Sequence, residues 1–281
     1  MRRTAWVVVL GAWSLSTGCG GGDAPERAAT STTAAAGTTT TAAAETTTTA
    51  VMPFGPLEGL PLVEIDATDL PEAPAGYVDE DIAVLAAQAV TIATRGIDTE
   101  VWTATPEDAL DRLLAGLPSE TVGGLEAALV EQFGQVTTWA LADRFPPDDL
   151  PIGPPRVFAR GWSAELTDAG DGRSFLGLEL RLSLAYAFEP ETEPRVALVQ
   201  RSVRVASFGP RDPANWPSVG GMTRADAIDR CALLVDGLLR PASDTATNIE
   251  HFLETIDPSS PEWALGPDGS ESPAVPAEGE C

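Results

Sequence analysis

No feature of this 281-residue chain restricts its fold more than the run from Leu176 to Phe188. Leu176, Leu178, Leu180, Leu182, Leu184, Tyr186 and Phe188 take every second position, with Gly177, Glu179, Arg181, Ser183, Ala185 and Ala187 between them. Successive side chains of an extended chain point to opposite faces, so this alternation predicts a long strand with one buried side. Turn-forming stretches at 168–173 and 189–194 bracket the strand. The flanking segments, Val157–Thr167 and Arg195–Phe208, are therefore expected as its antiparallel neighbours. The second of them alternates less cleanly, which predicts a bulge there.

The chain before that point has helical spacing. Asp79 is placed to cap a helix running to Arg95, with Ile82, Leu85, Ala86, Ala89, Ile92 and Ala93 inward and Gly96 ending it. Thr105-Pro106-Glu107-Asp108 has the order of a second helix start: an N-cap hydroxyl, a proline at the first position, then acids in the first turn. Leu110, Leu113 and Leu114 form its apolar stripe. Ser119 is placed to cap a third helix, with Val122, Leu125, Leu129 and Phe133 inward. Gln135–Phe145 fits either a strand or a helix. Two more helices are expected near the end, Arg224–Leu239 behind a Thr223 cap and Asp244–Ile256. Helices on an antiparallel sheet make the fold class α+β, and residues 57–256, about 200 in all, suffice for one sizeable core.

The first 18 residues do not belong to that domain. Arg2 and Arg3 precede an apolar run from Thr4 to Leu15, and roughly a dozen apolar residues are too few to span a bilayer stably. Ser16, Thr17 and Gly18 then lead to Cys19. This arrangement resembles the export signal of bacterial lipoproteins, although Ser16 stands where that family usually has Leu, Val or Ile. The resemblance implies cleavage after residue 18, a lipid on Cys19, and a location outside the cytoplasm with the protein anchored to the cell membrane. A plain secretory signal is the alternative. Residues 19–56 contain little that could pack, so they are expected to form a disordered Thr/Ala-rich linker. As a random coil it would have a root-mean-square reach of roughly 30 to 35 Å. Residues 257–281 form an acidic, Pro/Gly/Ser-rich tail that is expected to be flexible.

Charge narrows the range of partners. The net charge is -25, and all 17 basic residues are arginine. Such a polyanion has no field for attracting nucleic acid. Without lysine, Schiff-base chemistry is excluded. If Cys19 is lipidated, Cys231 and Cys281 remain as an even pair in an oxidising compartment. A bridge between them would tie the tail to the domain and contribute roughly 4 kcal/mol by chain entropy. The alternative is a buried free thiol, because Ile228, Cys231, Ala232 and Val235 fall on one helical face.

From AVLAAQAVTIATRGIDTEVWTATPEDALDRLLAGLP to QRSVRVASF, spanning about residues 78–208, the pattern of helices followed by strands resembles exported bacterial NTF2-like domains. The resemblance implies a curved antiparallel sheet closed by helices into a cone, with function in its cavity. A generic α+β domain is the alternative. Ketosteroid isomerases, which share the resemblance, use an Asp base with a Tyr or protonated acid as oxyanion donor. Here Tyr186 lies on the apolar face, while Arg160 and Trp162 share a face of the preceding strand. These three are the candidate pocket residues, with core packing the alternative for Tyr186. No family catalytic residue can be matched by motif.

The remaining candidates are weak. His251, the only histidine, has no metal-ligand partner at a recognised spacing. Ser163 in GWSAE lacks the second glycine of a nucleophile elbow. DAGDG at 168–172 lacks the alternating acids of a calcium loop and reads as a turn. Asp148 and Asp149 are either a cation site or a solvated loop. No cofactor and no metal is expected. The expected role is a non-enzymatic binding module for an envelope protein, a cell-wall component or a small apolar ligand. The alternative is an NTF2-like enzyme of isomerase or hydrolase type acting on a small apolar substrate.

Overall fold

The inward positions expected of the first helix are buried, and they set the packing of the domain. A computed structural model describes residues 52–117, 119, 122–123, 125–127, 138, 141–168, 174–190, 193–207, 218–226 and 228–241. Helix α1 spans Asp79–Gly96 and buries Ile82, Leu85, Ala86, Ala89, Ile92 and Ala93. Its N-cap is Val78 rather than Asp79. The Asp81 carboxylate accepts from the Val78 N–H at 2.9 Å, so an acid in the first turn does the work that a polar cap would do. Helix α2 is one turn, Thr99–Trp102, and α3 is Pro106–Leu113. As expected, Thr105 Oγ1 caps α3 by accepting from the Asp108 N–H at 3.1 Å. Positions 119, 122–123 and 125–127 are also helical, with Leu125 buried.

The strands are β1 (Arg156–Asp168), β2 (Ser174–Phe188), β3 (Arg195–Ser207) and β4 (Ser218–Asp226). They form one antiparallel meander in the order β1-β2-β3-β4. Register sets the two faces. Leu180, Leu182, Leu184 and Tyr186 lie opposite Val203, Arg201, Val199 and Ala197, and this inner face carries the main core with α1. Bonded ladders and shared burial fix this pairing, because a one-residue slip would turn every leucine outward.

Several sequence expectations need correction. The long strand is buried on both sides over its second half, where Ser183, Ala185 and Ala187 are at most 1% exposed. Phe54 and Leu57 pack on Ala185, Ala187, Val196 and Leu198, and the alanines leave room for them. Among the described residues, packing therefore reaches back to Phe54, inside the 19–56 stretch expected as linker. The irregularity lies in edge strand β1, between Val157 and Ala159, and not in β3, whose register is continuous. An edge strand accommodates an extra residue with one ladder disturbed instead of two.

The helix expected from Arg224 to Leu239 is also corrected. Residues 218–226 are a strand, and the last helix, α4, is only Arg230–Asp236. Gly220 and Gly221 weaken a helix by about 1 kcal/mol each, whereas the free edge of β3 offers nine residues a complete ladder. Asp229, not Thr223, is the cap, accepting from the N–H groups of Cys231 and Ala232 at 2.9 and 3.2 Å. Finally, Cys231 is disulfide-bonded, which overturns the free-thiol alternative. Cys19 and Cys281 both lie outside the described residues, as do the signal, the tail, the 169–173 turn and the second terminal helix. Among the described residues no helix is long and apolar enough to cross a membrane.

Candidate functional site

The alternation of β2 delivers Tyr186 to the inner face, where its ring meets Trp102 and Phe145 edge to face at 6.3 and 4.9 Å between centroids. Its hydroxyl does not end in an apolar void. Tyr186 donates to Asp143 Oδ2 at 2.5 Å, and Arg201 Nη2 donates to Asp143 Oδ1 at 2.6 Å. All three residues are at most 1% exposed. The only buried carboxylate among the described residues thus bridges a phenol and a guanidinium, with each oxygen engaged.

Each member is held by a different element. Asp143 lies in the stretch read as strand or helix, which is irregular from Ala142 to Phe145. Its N–H donates to Gly96 O at 2.8 Å, and the Phe145 N–H to Trp102 O at 2.7 Å. These bonds satisfy carbonyls at the C-terminal ends of α1 and α2 that have no helical partner. Arg201 projects from β3 level with Leu182, four residues from the rank of Tyr186, or about 13 Å along the strand. Two long side chains leaning together span that gap through Asp143. The Arg201 charge also sits beside the C-terminus of α1, the negative end of its dipole.

The energetics keep this cluster in one protonation state at the phenol. Burial, then the Asp143 charge and hydrogen bond, raises Tyr186 well above the ordinary phenol range, so it remains a donor. Asp143 is raised by burial, against the lowering pull of Arg201 and of the Tyr186 hydrogen bond.

Of the three residues expected to share a pocket, only Tyr186 belongs to this cluster. Arg160 and Trp162 do face the inner side, opposite Leu182 and Leu180, but they stand one strand over and at least four residues along. Arg160 is held by the lead-in segment instead, donating to Asp66 Oδ1 at 2.7 Å and Thr68 Oγ1 at 2.8 Å. Hydrogen bonds from Thr68, then the Arg160 charge, hold the Asp66 carboxyl below the usual range. Trp162 packs against the main core. Ser163 lies on the other face and donates to Glu179 Oε2 at 3.4 Å, an oxygen that also accepts from Arg181 Nε and Nη2 at 3.1 and 2.7 Å. Asp149 is bidentate to Arg195 at 2.7 and 3.1 Å, and Asp148 pairs with Arg240 at 3.5 Å. Arginines therefore pair with both acids of the loop, and Asp148 keeps the solvent exposure, 81%, of a solvated loop. No group of three metal-ligating side chains occurs among the described residues. His251 lies outside them.

Sequence reasoning missed Asp143 and Arg201. Arg201 was findable, because it is the one charged residue in the inward series Ala197, Val199, Arg201, Val203, Val205, and a buried arginine requires an acid. Comparison of the chain with protein-family models, curated proteins and solved structures gives no match.

Proposed function

We propose that the protein is an exported lipoprotein, anchored to the cell membrane through a lipid on Cys19, whose α+β domain is a non-enzymatic binding module. The observation that carries the binding reading is the closure of the buried cluster. Asp143 has both oxygens committed, to Arg201 and to Tyr186, and none of the three reaches solvent. A general base needs a lone pair within reach of a substrate proton. This carboxylate is 0% exposed, so its remaining lone pairs are out of reach of a substrate in solvent. The helices-then-meander order, with α1 packed across β2 and β3, supports an NTF2-like cone, and a generic α+β domain remains its alternative.

An NTF2-like enzyme acting on a small apolar substrate is the second reading, favoured by one contact. An Asp beside a Tyr hydroxyl, ringed by Trp102 and Phe145, is the residue pairing that ketosteroid isomerases use. The test is a turnover screen on ester, lactone and steroid-like substrates. Background rates are expected throughout. Turnover that Tyr186→Phe abolishes without unfolding the domain would replace the binding reading with the enzyme. Anchoring is tested separately: Cys19→Ser should move the protein from the membrane fraction to the medium or leave it as an uncleaved precursor, and normal cleavage with unchanged membrane retention refutes it.

A further inference from the structure

The sheet ends in an open strand edge. β1 is an outermost strand, and none of its residues from 156 to 167 is buried, whereas β2 and β3 are buried along most of their length. The Ile152 N–H donates to Ala187 O at 2.9 Å, so β2 turns the backbone groups of its outer-face residues toward the β1 side. Gly177 and Glu179 belong to that set, and they lie opposite Glu165 and Ser163. Backbone direction alternates along a strand, so Trp162, Ala164 and Leu166 turn their N–H and C=O groups away from the sheet. Val157 shows the same direction, since its N–H leaves the sheet for Pro61 O at 3.1 Å. Among the described residues no hydrogen bond reaches the outward groups of Trp162, Ala164 or Leu166. An unpaired row of this kind is a template for another strand.

The end of the edge near Arg156 is closed, and the end near Asp168 is not. Phe158 and Leu60 pack with Ala185 and Leu198 at the closed end, and the bulge between Val157 and Ala159 distorts the ladder there. Beyond it, a Cβ built on Gly161 would meet nothing within 4 Å, Leu166 is 39% exposed and the Glu165 side chain 68%. No proline interrupts residues 161–166. The lead-in segment runs beside this stretch. Its Asp66 holds Arg160, and its Tyr77 hydroxyl donates to the carbonyl of Ser174, the residue opposite Asp168. It packs Ile65, Leu70 and Ala73 on the main core and leaves Glu64, Asp69 and Glu72 exposed. Residues 52–94 contain eight acids and no arginine, so the rim of the edge is acidic.

We propose that Gly161–Leu166 of the β1 edge takes up an extended, basic peptide of a partner protein as an added antiparallel strand. This rests on the binding-module reading and names its partner. The peptide backbone pairs with the outward groups of Trp162, Ala164 and Leu166, and its side chains alternate between the two faces. Apolar residues meet Trp162 and Leu166 on the inner face, while basic ones meet Glu165 on the outer face. Arg204 Nη2 reaches Glu165 at 3.3 Å, yet the Glu165 side chain stays largely in solvent and accessible to a second cation. Charge complementarity selects the partner, because a chain of net charge -25 attracts a cationic segment and repels a second copy of itself.

The experiment titrates the mature protein with a labelled peptide of alternating valine and arginine, followed by fluorescence anisotropy, while NMR reads hydrogen exchange of the β1 amides. Saturable binding is expected, with exchange at Trp162, Ala164 and Leu166 slowed about tenfold or more. Two analogues separate the contributions. Methylating the valine nitrogens keeps the charge but removes the donors that face β1, and it should weaken binding about tenfold or more, as should replacing the arginines by glutamate. Ala164→Pro removes an outward N–H that makes no bond to β2, so it should cause the same loss with the fold intact. Glu165→Arg, which also weakens binding, keeps the test available if Ala164→Pro does not fold. Absence of binding, equal affinity for the methylated or the glutamate peptide, or protection at other amides only overturns the site. So does protection of these amides in a peptide-free dimer, which would make a second copy the occupant. None of these outcomes bears on turnover, so failure of the site is distinguishable from failure of the binding-module reading.

Discussion

Replacing Arg201 by methionine tests the buried cluster most directly, because it removes a charge while roughly keeping the volume. In the wild type, the Arg201 charge is what pulls the Asp143 carboxyl down against the effect of burial. Without it, the acid faces the negative end of the α1 dipole with only the Tyr186 hydroxyl to hold it. Breaking one side of a buried pair costs about 3–5 kcal/mol. The dipole adds about 0.3–1 kcal/mol in the same direction. For a domain of this size such a loss lowers the melting temperature by roughly 7–24 °C. The pH dependence follows from the same reasoning. Asp143 binds its proton more tightly in the folded state than in the unfolded state, and more tightly still in the variant. The stability associated with the protonated acid is therefore full below the ordinary Asp value and is lost as pH rises through the raised folded value. Arg201→Met should accordingly be most damaging at neutral to alkaline pH and recover toward acid, by up to about 1.4 kcal/mol per pH unit while the acid titrates. Urea denaturation followed by circular dichroism at a series of pH values measures this. Adding Asp143→Asn to Arg201→Met should remove that pH dependence and restore much of the stability. A loss below about 1 kcal/mol, or a double variant whose loss is simply additive within about 0.5 kcal/mol, would refute the pairing.

Three further outcomes follow from the same coordinates. Gly96→Ala should destabilise by about 1–3 kcal/mol although alanine is the better helix former, because the new Cβ would collide with Leu141 O and press on Arg201 Nη1; a gain in thermal melting would contradict that close approach. Leu180→Asp should cost several kcal/mol, against about 1 kcal/mol or less for Leu166→Asp, since Leu180 is fully buried and Leu166 is 39% exposed; equal losses in urea titrations would contradict that difference in burial. Non-reducing digestion and mass spectrometry should recover Cys231 joined to Cys281, whereas a Cys231 peptide joined to Cys19 would rule out both the staple and the lipid.

Sequence reasoning succeeded where a pattern was local and repeated. The inward set of α1, the Thr105 cap and the β2 alternation each follow from spacing within one element, and each occurs in the structure. It failed where a partner distant in sequence made the decision. Residues 218–226 carry a plausible helix start, yet they complete the β3 ladder, because unpaired strand edges and two glycines outweigh a cap. Ser183, Ala185 and Ala187 read as a solvent face until Phe54 and Leu57, more than a hundred residues earlier, fold over it. Asp143 gave no periodic signal, since its role is fixed by Gly96, Tyr186 and Arg201, none of which neighbours it in the chain. Arg201 was the legible part of the site: a charge among inward-facing aliphatics implies an acid, though not its location.

The lead-in segment also gives the domain a mechanical polarity. A pull from the N-terminal side reaches the sheet only after passing several small ties in series. Phe54 lies under the Arg156 guanidinium at 4.5 Å from the ring centre, Arg156 binds Glu58 and Leu60, Leu62 bridges to Arg156, and Arg160 holds Asp66. Ties loaded one after another give way singly, like stitches, while the ladder from β1 to β3 resists as a block. Releasing residues 52–68 would pay out roughly 55 Å of slack before the pull reached the chain leading into α1.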